Sequence, residues 1–538
     1  MFKQVLQKVL GASGKNTTAN SAKEPKEQRP LVANIAENLK ILHQVFDLCG
    51  DVVFREFQLN TKPALKACVI HIDAVADDSL SSQHLMQSIL LDNSALTADM
   101  QLTKHNAPQI LRDRLITLME VKTSTDVLEL TTHILQGNVA LLLEGSATAL
   151  VGITPGGQGR AILEPVVEPV VRGPRDGFVE SYRVNVALVR QRLKSSRLKV
   201  EVLQVGAISK TSVAVCYLKG VVNDGTVAEV KERIQRIKID GIIDSAVIEE
   251  FISDEPFTFF PLVLATERPD KTASALLEGR VGIIVDTTPV ALIVPATFVT
   301  MLQASEDSFN LYIYASFIRL LRFVALNLAL LLPAIYIAIT TYHQEMLPAA
   351  LLTSIAQARV GVPFPAFIEA LIMELTFELL REAGVRLPHN VGQAVSTVGG
   401  LVIGQAAVQA GIVSSSMVIV VALTALASFT IPNISASYSI RILRFALMIC
   451  AAVLGMPGVM LGLMALLIHL CGLRSFGVPY LSPFAPLSPK DMKDTFVRVP
   501  WWAMFTRPHF SGAKEPARQD PQGGPQKPGE GGENSSNK

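Results

Sequence analysis

Hydrophobic residues are spaced differently in the two halves of this chain. In the first half, short apolar runs alternate with polar turns, a pattern typical of β-strands and amphipathic helices. In the second half the apolar runs are longer, and residues 323–342 contain no charge. A helix of about 20 residues extends about 30 Å, enough to cross a lipid bilayer. We therefore predict an α/β soluble N-terminal region followed by an α-helical polytopic membrane domain.

A β-hairpin pattern occurs twice in the first half. Residues 135–154 are LQGNVALLLEGSATALVGIT, and residues 277–296 are LEGRVGIIVDTTPVALIVPA. Leucine, glycine, valine and an Ala-Leu pair recur at matching positions, and Glu144 corresponds to Asp286 at the turn. A strand-like run precedes each hairpin, ACVIHIDAVAD in the first copy and VAVCYLKGVVND in the second. Elements that recur in the same order predict two related α/β subdomains.

Residues 281–302 are apolar enough to resemble a membrane span. Asp286, Pro289 and Pro295 interrupt this run, however, and the run matches the earlier hairpin. Proline and a mid-run carboxylate are typical of strand ends and turns. We therefore predict strands here.

Changes in composition set the predicted boundaries. The start of the chain is polar, and its end is rich in proline and glycine, which is typical of segments without a packed core. In chain order we predict a flexible leader (1–30), a first α/β subdomain (31–165), a basic connector (166–200), a second α/β subdomain (201–305), a transmembrane domain with four to six helices (306–472), a cytoplasmic C-terminal segment (473–510) and a disordered tail (511–538).

The connector is part of an arginine-rich stretch, residues 170–201. Such a surface could hold anionic lipid headgroups or nucleic acid. The other interpretation is a solvated or interdomain helix. The arginines are not interleaved with aromatic side chains, so we favour the helix and expect no nucleic-acid partner.

Charge is segregated although the net charge is only +1. Charged residues are concentrated before Arg322 and after Arg474, and the region between them contains few. Arg319 and Arg322 precede the run at 323–342, so the positive-inside rule places the soluble half in the cytoplasm.

The last long apolar run, residues 445–470, is interrupted by Gly-Met-Pro-Gly at 455–458. Arg441 and Arg444 precede the run, and Arg474 follows it. Both flanks are therefore predicted to be cytoplasmic, which favours a tight hairpin of two helices.

A carboxylate-bearing helix is predicted at residues 363–383, next to the uncharged, glycine-rich segment that follows. Pro363 and Pro365 bracket Phe364 and suit the first turn of a helix, where the missing N–H costs nothing. These three residues are expected to shape the start of the helix.

Four glutamates lie along this helix. At about 100° per residue, Glu374, Glu378 and Glu382 share one stripe, while Glu369 lies on a different sector. An ionised group at mid-membrane costs about 3 kcal/mol on insertion scales, so the stripe must face protein, water or the interface. The spacing leaves two interpretations open, an amphipathic helix at the membrane surface and a helix that lines a polar passage. In the second, Glu369, Glu374 and Glu378 are the candidate passage or gating residues, together with Pro363, Phe364 and Pro365.

Small residues follow at spacings close to four. Gly400, Gly404 and Gly411 lie in GGLVIGQAAVQAG, a pattern typical of close helix packing. We expect these glycines to support tight assembly, within one chain or between copies.

Several kinds of chemistry are not supported. The five cysteines are scattered and form no CxxC pair, and the chain contains no HExxH and no GxSxG. GASGKNTT and TPGGQGR both lack residues that a phosphate-binding loop needs. We therefore expect no catalytic site, no cofactor and no metal.

The longest motifs resemble one known family. VPFPAFIEALIMELTFELLREAGVRLP, VGGLVIGQAAVQAGIVS, VVRGPRDGF, VDTTPVALIVPATF, RLLRFVALNLALLLPAIYIA and FVRVPWW are similar to the A subunit of GerA-type spore germinant receptors. The resemblance covers about residues 31–508, and a series of motifs of that length is highly specific.

The resemblance implies a membrane subunit in a three-component receptor of the spore inner membrane. It implies a polytopic B-type subunit and a C-type lipoprotein as partners, activation by small nutrients, and release of monovalent cations. It also implies self-association into an ion-conducting homo-oligomer, with membrane lipid around it. The alternative is a non-conducting scaffold or signal-transducing subunit of the same receptor. A secondary transporter is disfavoured because no repeated pair of broken helices occurs.

Overall fold

The structure is a computed structural model, and it describes residues 29–59, 65–76, 109, 111, 121–154, 163–386 and 402–519. The chain forms two compact units. The first comprises Met1–Pro256, Val263–Pro295 and Val499–Lys538, and the second comprises Phe257–Leu262 and Ala296–Arg498. Residues 1–28 of the predicted leader lie outside the described residues, and so does the predicted tail beyond residue 519.

The first unit begins with a five-stranded antiparallel sheet in the order β1-β2-β4-β5-β3. Leu42, Cys68, Ile70, Leu130 and Ala140 pack together in the core between this sheet and its helices. The elements are α1 (Ile35–Val45), β1 (Val52–Leu59), β2 (Leu65–Ile72), β3 (Val121–Ser124), α2 (Val127–Leu135), β4 (Val139–Leu143) and β5 (Ala149–Gly152).

A second five-stranded antiparallel sheet has the corresponding order, β6-β7-β9-β10-β8. The strands predicted at residues 281–302 are confirmed up to residue 294, and the run then ends in a short helix. The elements are α3 (Tyr182–Arg192), β6 (Leu198–Val205), β7 (Thr211–Leu218), α4 (Asp224–Arg236), α5 (Ser245–Ile252), β8 (Leu264–Thr266), α6 (Pro269–Leu277), β9 (Val281–Val285) and β10 (Ala291–Val294).

Equivalent side chains make equivalent hydrogen bonds in the two subdomains. Glu144, in the first hairpin turn, accepts a hydrogen bond from the N–H of Ile35 at the start of α1 (3.3 Å). Asp286, in the second hairpin turn, accepts one from the N–H of Tyr182 at the start of α3 (3.2 Å). A carboxylate at a helix N-terminus satisfies an orphan N–H and favours the helix dipole. The two related α/β subdomains predicted from the sequence are therefore confirmed, and α3 is the counterpart of α1.

A buried ion pair joins the two subdomains. The guanidinium of Arg190, in α3, donates two hydrogen bonds of 2.8 Å to the carboxylate of Asp51, and the Arg190 side chain is fully buried. Burial opposes the positive charge, yet Asp51 raises the pKa of Arg190 above its ordinary value. The arginine-rich stretch thus contains a helix with an interdomain contact.

The C-terminal segment of the first unit returns to the second subdomain. Arg197 forms a 2.9 Å ion pair with Glu515, and the backbone N–H of Lys514 donates to the carbonyl of Val221 (2.9 Å). The Arg280 guanidinium lies over the ring of Phe510. Residues 511–519, which the sequence places in the tail, therefore contact folded elements.

The second unit is helical. Among the described residues, two helices are long and apolar enough to cross a membrane, α9 (Tyr312–Tyr342) and α13 (Ile434–Leu454). Residues 402–409, part of the glycine-rich segment, are also helical, while residues 387–401 lie outside the described residues. The elements are α7 (Phe298–Leu302), α8 (Glu306–Phe309), α9 (Tyr312–Tyr342), α10 (Ala349–Ala358), α11 (Ala366–Arg386), α12 (Ser415–Phe429), α13 (Ile434–Leu454) and α14 (Met456–Gly472). The predicted fold class, an α/β region followed by apolar helices, is confirmed.

Two pairs of arginines lie inside helices and not, as predicted, in front of them. Arg441 and Arg444 are part of α13, which begins at Ile434, and both side chains are buried. Arg319 and Arg322 are part of α9, and both pair with Asp307 (3.1 and 2.7 Å). The helices begin earlier because a paired arginine can be buried, so a charge does not end an apolar helix.

The predicted break in the last apolar run occurs at Gly455. This glycine has φ +65°, a conformation that other residues rarely adopt, and it separates α13 from α14. Gly458 then allows close packing, because a Cβ atom there would lie 2.2 Å from the carbonyl oxygen of Cys450. The hairpin thus depends on both glycines.

Replacing Gly458 should destabilise this hairpin. We expect Gly458→Ala to cost about 1–3 kcal/mol through overpacking, measured as a lower thermal unfolding midpoint of the protein in detergent. Gly472→Ala is the matched control, because no atom lies within 4 Å of a Cβ there. Equal midpoints for the two variants would contradict the close contact.

Candidate functional site

The carboxylate-bearing helix is α11. It begins immediately after Pro365, whose carbonyl accepts a hydrogen bond from the N–H of Ile368 (2.9 Å). Pro363, Phe364 and Pro365 are all exposed, so the predicted start of the helix lies on the surface of the chain. Both prolines precede the first helical residue, where their missing N–H groups break no helical bond.

Glu369 connects three segments of the helical unit. Its side chain is fully buried, and Oε2 accepts a hydrogen bond from the backbone N–H of Ser414 (2.9 Å), directly before α12. The guanidinium of Arg359, at the end of α10, lies 3.2 Å from Oε1. This carboxylate therefore holds the start of α11 against the end of α10 and the start of α12.

Glu374 forms the most deeply buried ion pair of the unit. Arg444 of α13 donates a short hydrogen bond to Oε2 of Glu374, and the two side chains are 1% and 0% exposed. The Nε of Arg444 donates to the carbonyl of Ala329 in α9 (2.8 Å). One guanidinium thus links α9, α11 and α13. Removing either partner would leave an uncompensated buried charge.

Glu378 forms a second pair with α13, one helical turn away. Its Oε2 lies 2.7 Å from Nη1 of Arg441. The glutamates are four residues apart and the arginines three, and the order of the pairs is reversed, so α11 and α13 run antiparallel. Arg381 follows on α11, and its guanidinium lies over the rings of Phe429 and Tyr438.

The charge cluster of α11 and α13 consists of Glu374, Glu378, Arg381, Arg441 and Arg444. Four buried atoms of this cluster make no hydrogen bond within the described part of the chain. They are Oε1 of Glu374, Oε1 of Glu378, Nη1 of Arg381 and Nη2 of Arg444. A buried polar atom without a partner costs free energy and is rare in stable folds. The cluster therefore has unused hydrogen-bonding capacity on both its acidic and its basic side.

Other predicted residues lie apart from this cluster. Glu382 is exposed and pairs with Arg386 on its own helix (2.7 Å), so it faces away from α13 although it belongs to the predicted stripe. Gly404 is buried, and a Cβ atom there would lie 3.7 Å from Val418 of α12, a contact within one chain. Gly411 has φ +67° and forms a turn. Gly400 lies outside the described residues.

The basic partners of the glutamates were not predicted. The sequence nevertheless contains a pattern that indicates this pairing. Arg441 and Arg444 lie one turn apart in an apolar stretch, as do Glu374 and Glu378. Opposite charges at one-turn spacing on two apolar helices indicate pairing between those helices. Among the described residues, no cluster of three or more His, Cys, Asp or Glu could hold a metal ion.

Comparison with known proteins identifies a family. Residues 40–510 match the model described as "Bacillus/Clostridium GerA spore germination protein". The chain is 44% identical over 502 residues to the uncharacterized membrane protein YfkQ of Bacillus subtilis, covering 93% of this chain and 96% of YfkQ. It is 43% identical over 498 residues to spore germination protein KA of the same organism, covering 92% of this chain and 90% of that protein. A crystal structure of the N-terminal domain of the A subunit of the Bacillus megaterium spore germinant receptor GerK3 is also similar, with 31% identity, a TM-score of 0.41, and coverage of 51% of this chain and 99% of that domain.

Proposed function

This chain belongs to the GerA family of spore germination proteins, as a receptor A subunit, and we propose from that premise that copies of its helical unit form a nutrient-gated passage for monovalent cations. The chain is membrane-associated and works with other receptor subunits. In the proposal these are a polytopic B-type subunit and a C-type lipoprotein, the membrane is the spore inner membrane, and the soluble parts are cytoplasmic.

The observation that carries the proposal is the buried charge cluster of α11 and α13. Ionisable groups inside a membrane are expensive, and they are typical of ion pathways and proton relays. Here two carboxylate oxygens, one each from Glu374 and Glu378, are buried without a hydrogen-bond partner in the described structure. Carboxylate oxygens suit a dehydrated monovalent cation, as in cation-selective channels.

The pairing also suggests how the passage is gated. Glu369 and Glu374 are fully buried in a single chain, so neither reaches a passage between copies while its pair is intact. We propose that the paired arrangement is the closed state and that opening moves α11 relative to α13, which turns Glu374 and Glu378 toward the passage. Pro363, Phe364 and Pro365, already exposed, form its mouth.

Substitution of Glu378 tests this proposal. We expect Glu378→Gln to change the rate of cation release from germinating spores several-fold, while the subunit still co-purifies with its partners. Glu382→Gln is the matched control, because that carboxylate lies on the same helix but is exposed. Wild-type release from a properly assembled Glu378→Gln receptor would contradict the passage.

The competing function is a non-conducting scaffold. The specific observation in its favour is that Glu374 and Glu378 are already paired within the chain. In that case Glu378→Gln should weaken assembly, so that less of the B-type and C-type subunits co-purifies, and any change in release should follow the amount of receptor.

A further inference from the structure

A short aromatic segment of the helical unit, Phe257–Leu262, exposes side chains that are normally buried. Phe257 is 91% exposed and Phe259 is 57% exposed. Exposed phenylalanines in neighbouring positions are uncommon on soluble surfaces and indicate a binding surface. In contrast, the next residue, Phe260, is buried, with 4% of its surface exposed.

The backbone of this segment is hydrogen-bonded to two helices of the same unit, near the end of α14 and near the start of α13. The hydroxyl of Thr258 lies 3.0 Å from Nε2 of His469, in the last turn of α14. The hydroxyl of Ser439, in α13, donates a hydrogen bond to the carbonyl of Phe259. Phe260 packs among Phe298, His469 and Tyr480, with ring centroids 6.2–6.4 Å apart. The backbone that carries the two exposed rings is therefore held against α13 and α14.

The helix that contacts the segment, α14, has an apolar face that is largely exposed within the described structure. Met460, Met464, Leu467 and Ile468 are 49–68% exposed, and they follow one another at helical spacing. This stripe ends at Ile468, next to His469, which holds Thr258. The exposed face of α14 and the exposed rings therefore lie on either side of the Thr258–His469 contact.

We propose that Phe257 and Phe259 insert into the headgroup region of the lipid bilayer, where they anchor this end of the helical unit at the membrane surface. The occupant is lipid because the segment contacts α14, a helix that has an exposed apolar face and, under the proposed function, crosses the membrane. Aromatic side chains are enriched at this depth of membranes. Met464 lies five residues before His469, about 7.5 Å deeper along the helix.

Depth-dependent fluorescence quenching tests this proposal on the full-length protein in lipid vesicles. In a Trp501→Phe/Trp502→Phe background, a single tryptophan is placed at Phe257, at Met464 or at Ile208. Met464→Trp reports the lipid core, and Ile208→Trp reports water, because Ile208 is 79% exposed in a turn of the second sheet. The probes are phosphatidylcholines brominated at a shallow or at a deep acyl position.

We expect shallow bromolipid to reduce the Phe257→Trp emission about twofold and deep bromolipid to reduce it less. Met464→Trp should show the reverse order, and Ile208→Trp should not respond. If Met464→Trp is quenched but Phe257→Trp behaves like Ile208→Trp, the anchor is wrong while the membrane span stands. If neither is quenched, both the anchor and the membrane placement of α14 are wrong.

Discussion

Arg444→Met should destabilise the helical unit more than any substitution of an exposed charge in it. The change leaves the carboxylate of Glu374 buried without its partner and frees the carbonyl of Ala329. Breaking a buried pair in this way costs about 3–5 kcal/mol. The expected result is a large fall in the thermal unfolding midpoint of the detergent-solubilised protein.

Two further variants distinguish loss of the Glu374–Arg444 ion pair from non-specific destabilisation. Glu374→Met combined with Arg444→Met removes both charges, and since replacing a buried pair by apolar residues is often neutral, the double variant should regain most of the lost stability. Arg386→Met removes an arginine whose side chain is 79% exposed, and it should change little. An Arg444→Met protein as stable as Arg386→Met would show that the pair does not hold α11.

Arg190→Leu should weaken the contact between the two α/β subdomains and destabilise the first unit. Arg190 donates to both oxygens of Asp51 and also to the carbonyls of Ser195 and Leu198 (3.1 Å each). The substitution leaves a buried carboxylate and two carbonyls without their donor, so we expect a loss of about 3–5 kcal/mol. Chemical denaturation followed by far-ultraviolet circular dichroism would measure it.

Arg183 provides a matched control on the same helix. It pairs with Asp73, also across the subdomains, at 2.9 Å, but its side chain is 60% exposed. An exposed pair contributes about 0–1 kcal/mol, so Arg183→Leu should unfold almost as the wild type does. Similar losses for both variants would mean that burial does not decide the strength of this interface.

Most of the α/β half could be predicted from the sequence because its pattern of strands and turns is local and occurs twice. Residues 135–154 and residues 277–296 show the same alternation of strand and turn. Glu144 and Asp286 occupy equivalent turns and cap equivalent helices. The helix α3 was harder to assign, because its arginines resemble a solvated surface. Burial of Arg190 depends on Asp51, which is 139 residues away and cannot be inferred from local pattern.

The site was predictable only on its acidic side. The spacing of Glu374 and Glu378 identified the stripe, and Pro363 and Pro365 identified the start of the helix. Arg441 and Arg444 were assigned to a flank because hydropathy treats a charge as the end of a span. They pair with glutamates of α11 through a tertiary contact. This pairing offsets the desolvation cost of burying an arginine.

The selectivity of cation flux tests the central claim most directly. Membrane vesicles would contain the chain with the proposed B-type and C-type subunits. They would be triggered with a mixture of amino acids and sugars, and the ratio of potassium to sodium permeability would be measured. If Glu378 lines the open passage, Glu378→Gln shifts this ratio and Glu382→Gln does not, whereas a scaffold defect changes only the amount of flux. An unchanged ratio in an assembled, conducting Glu378→Gln receptor would contradict a passage lined by α11.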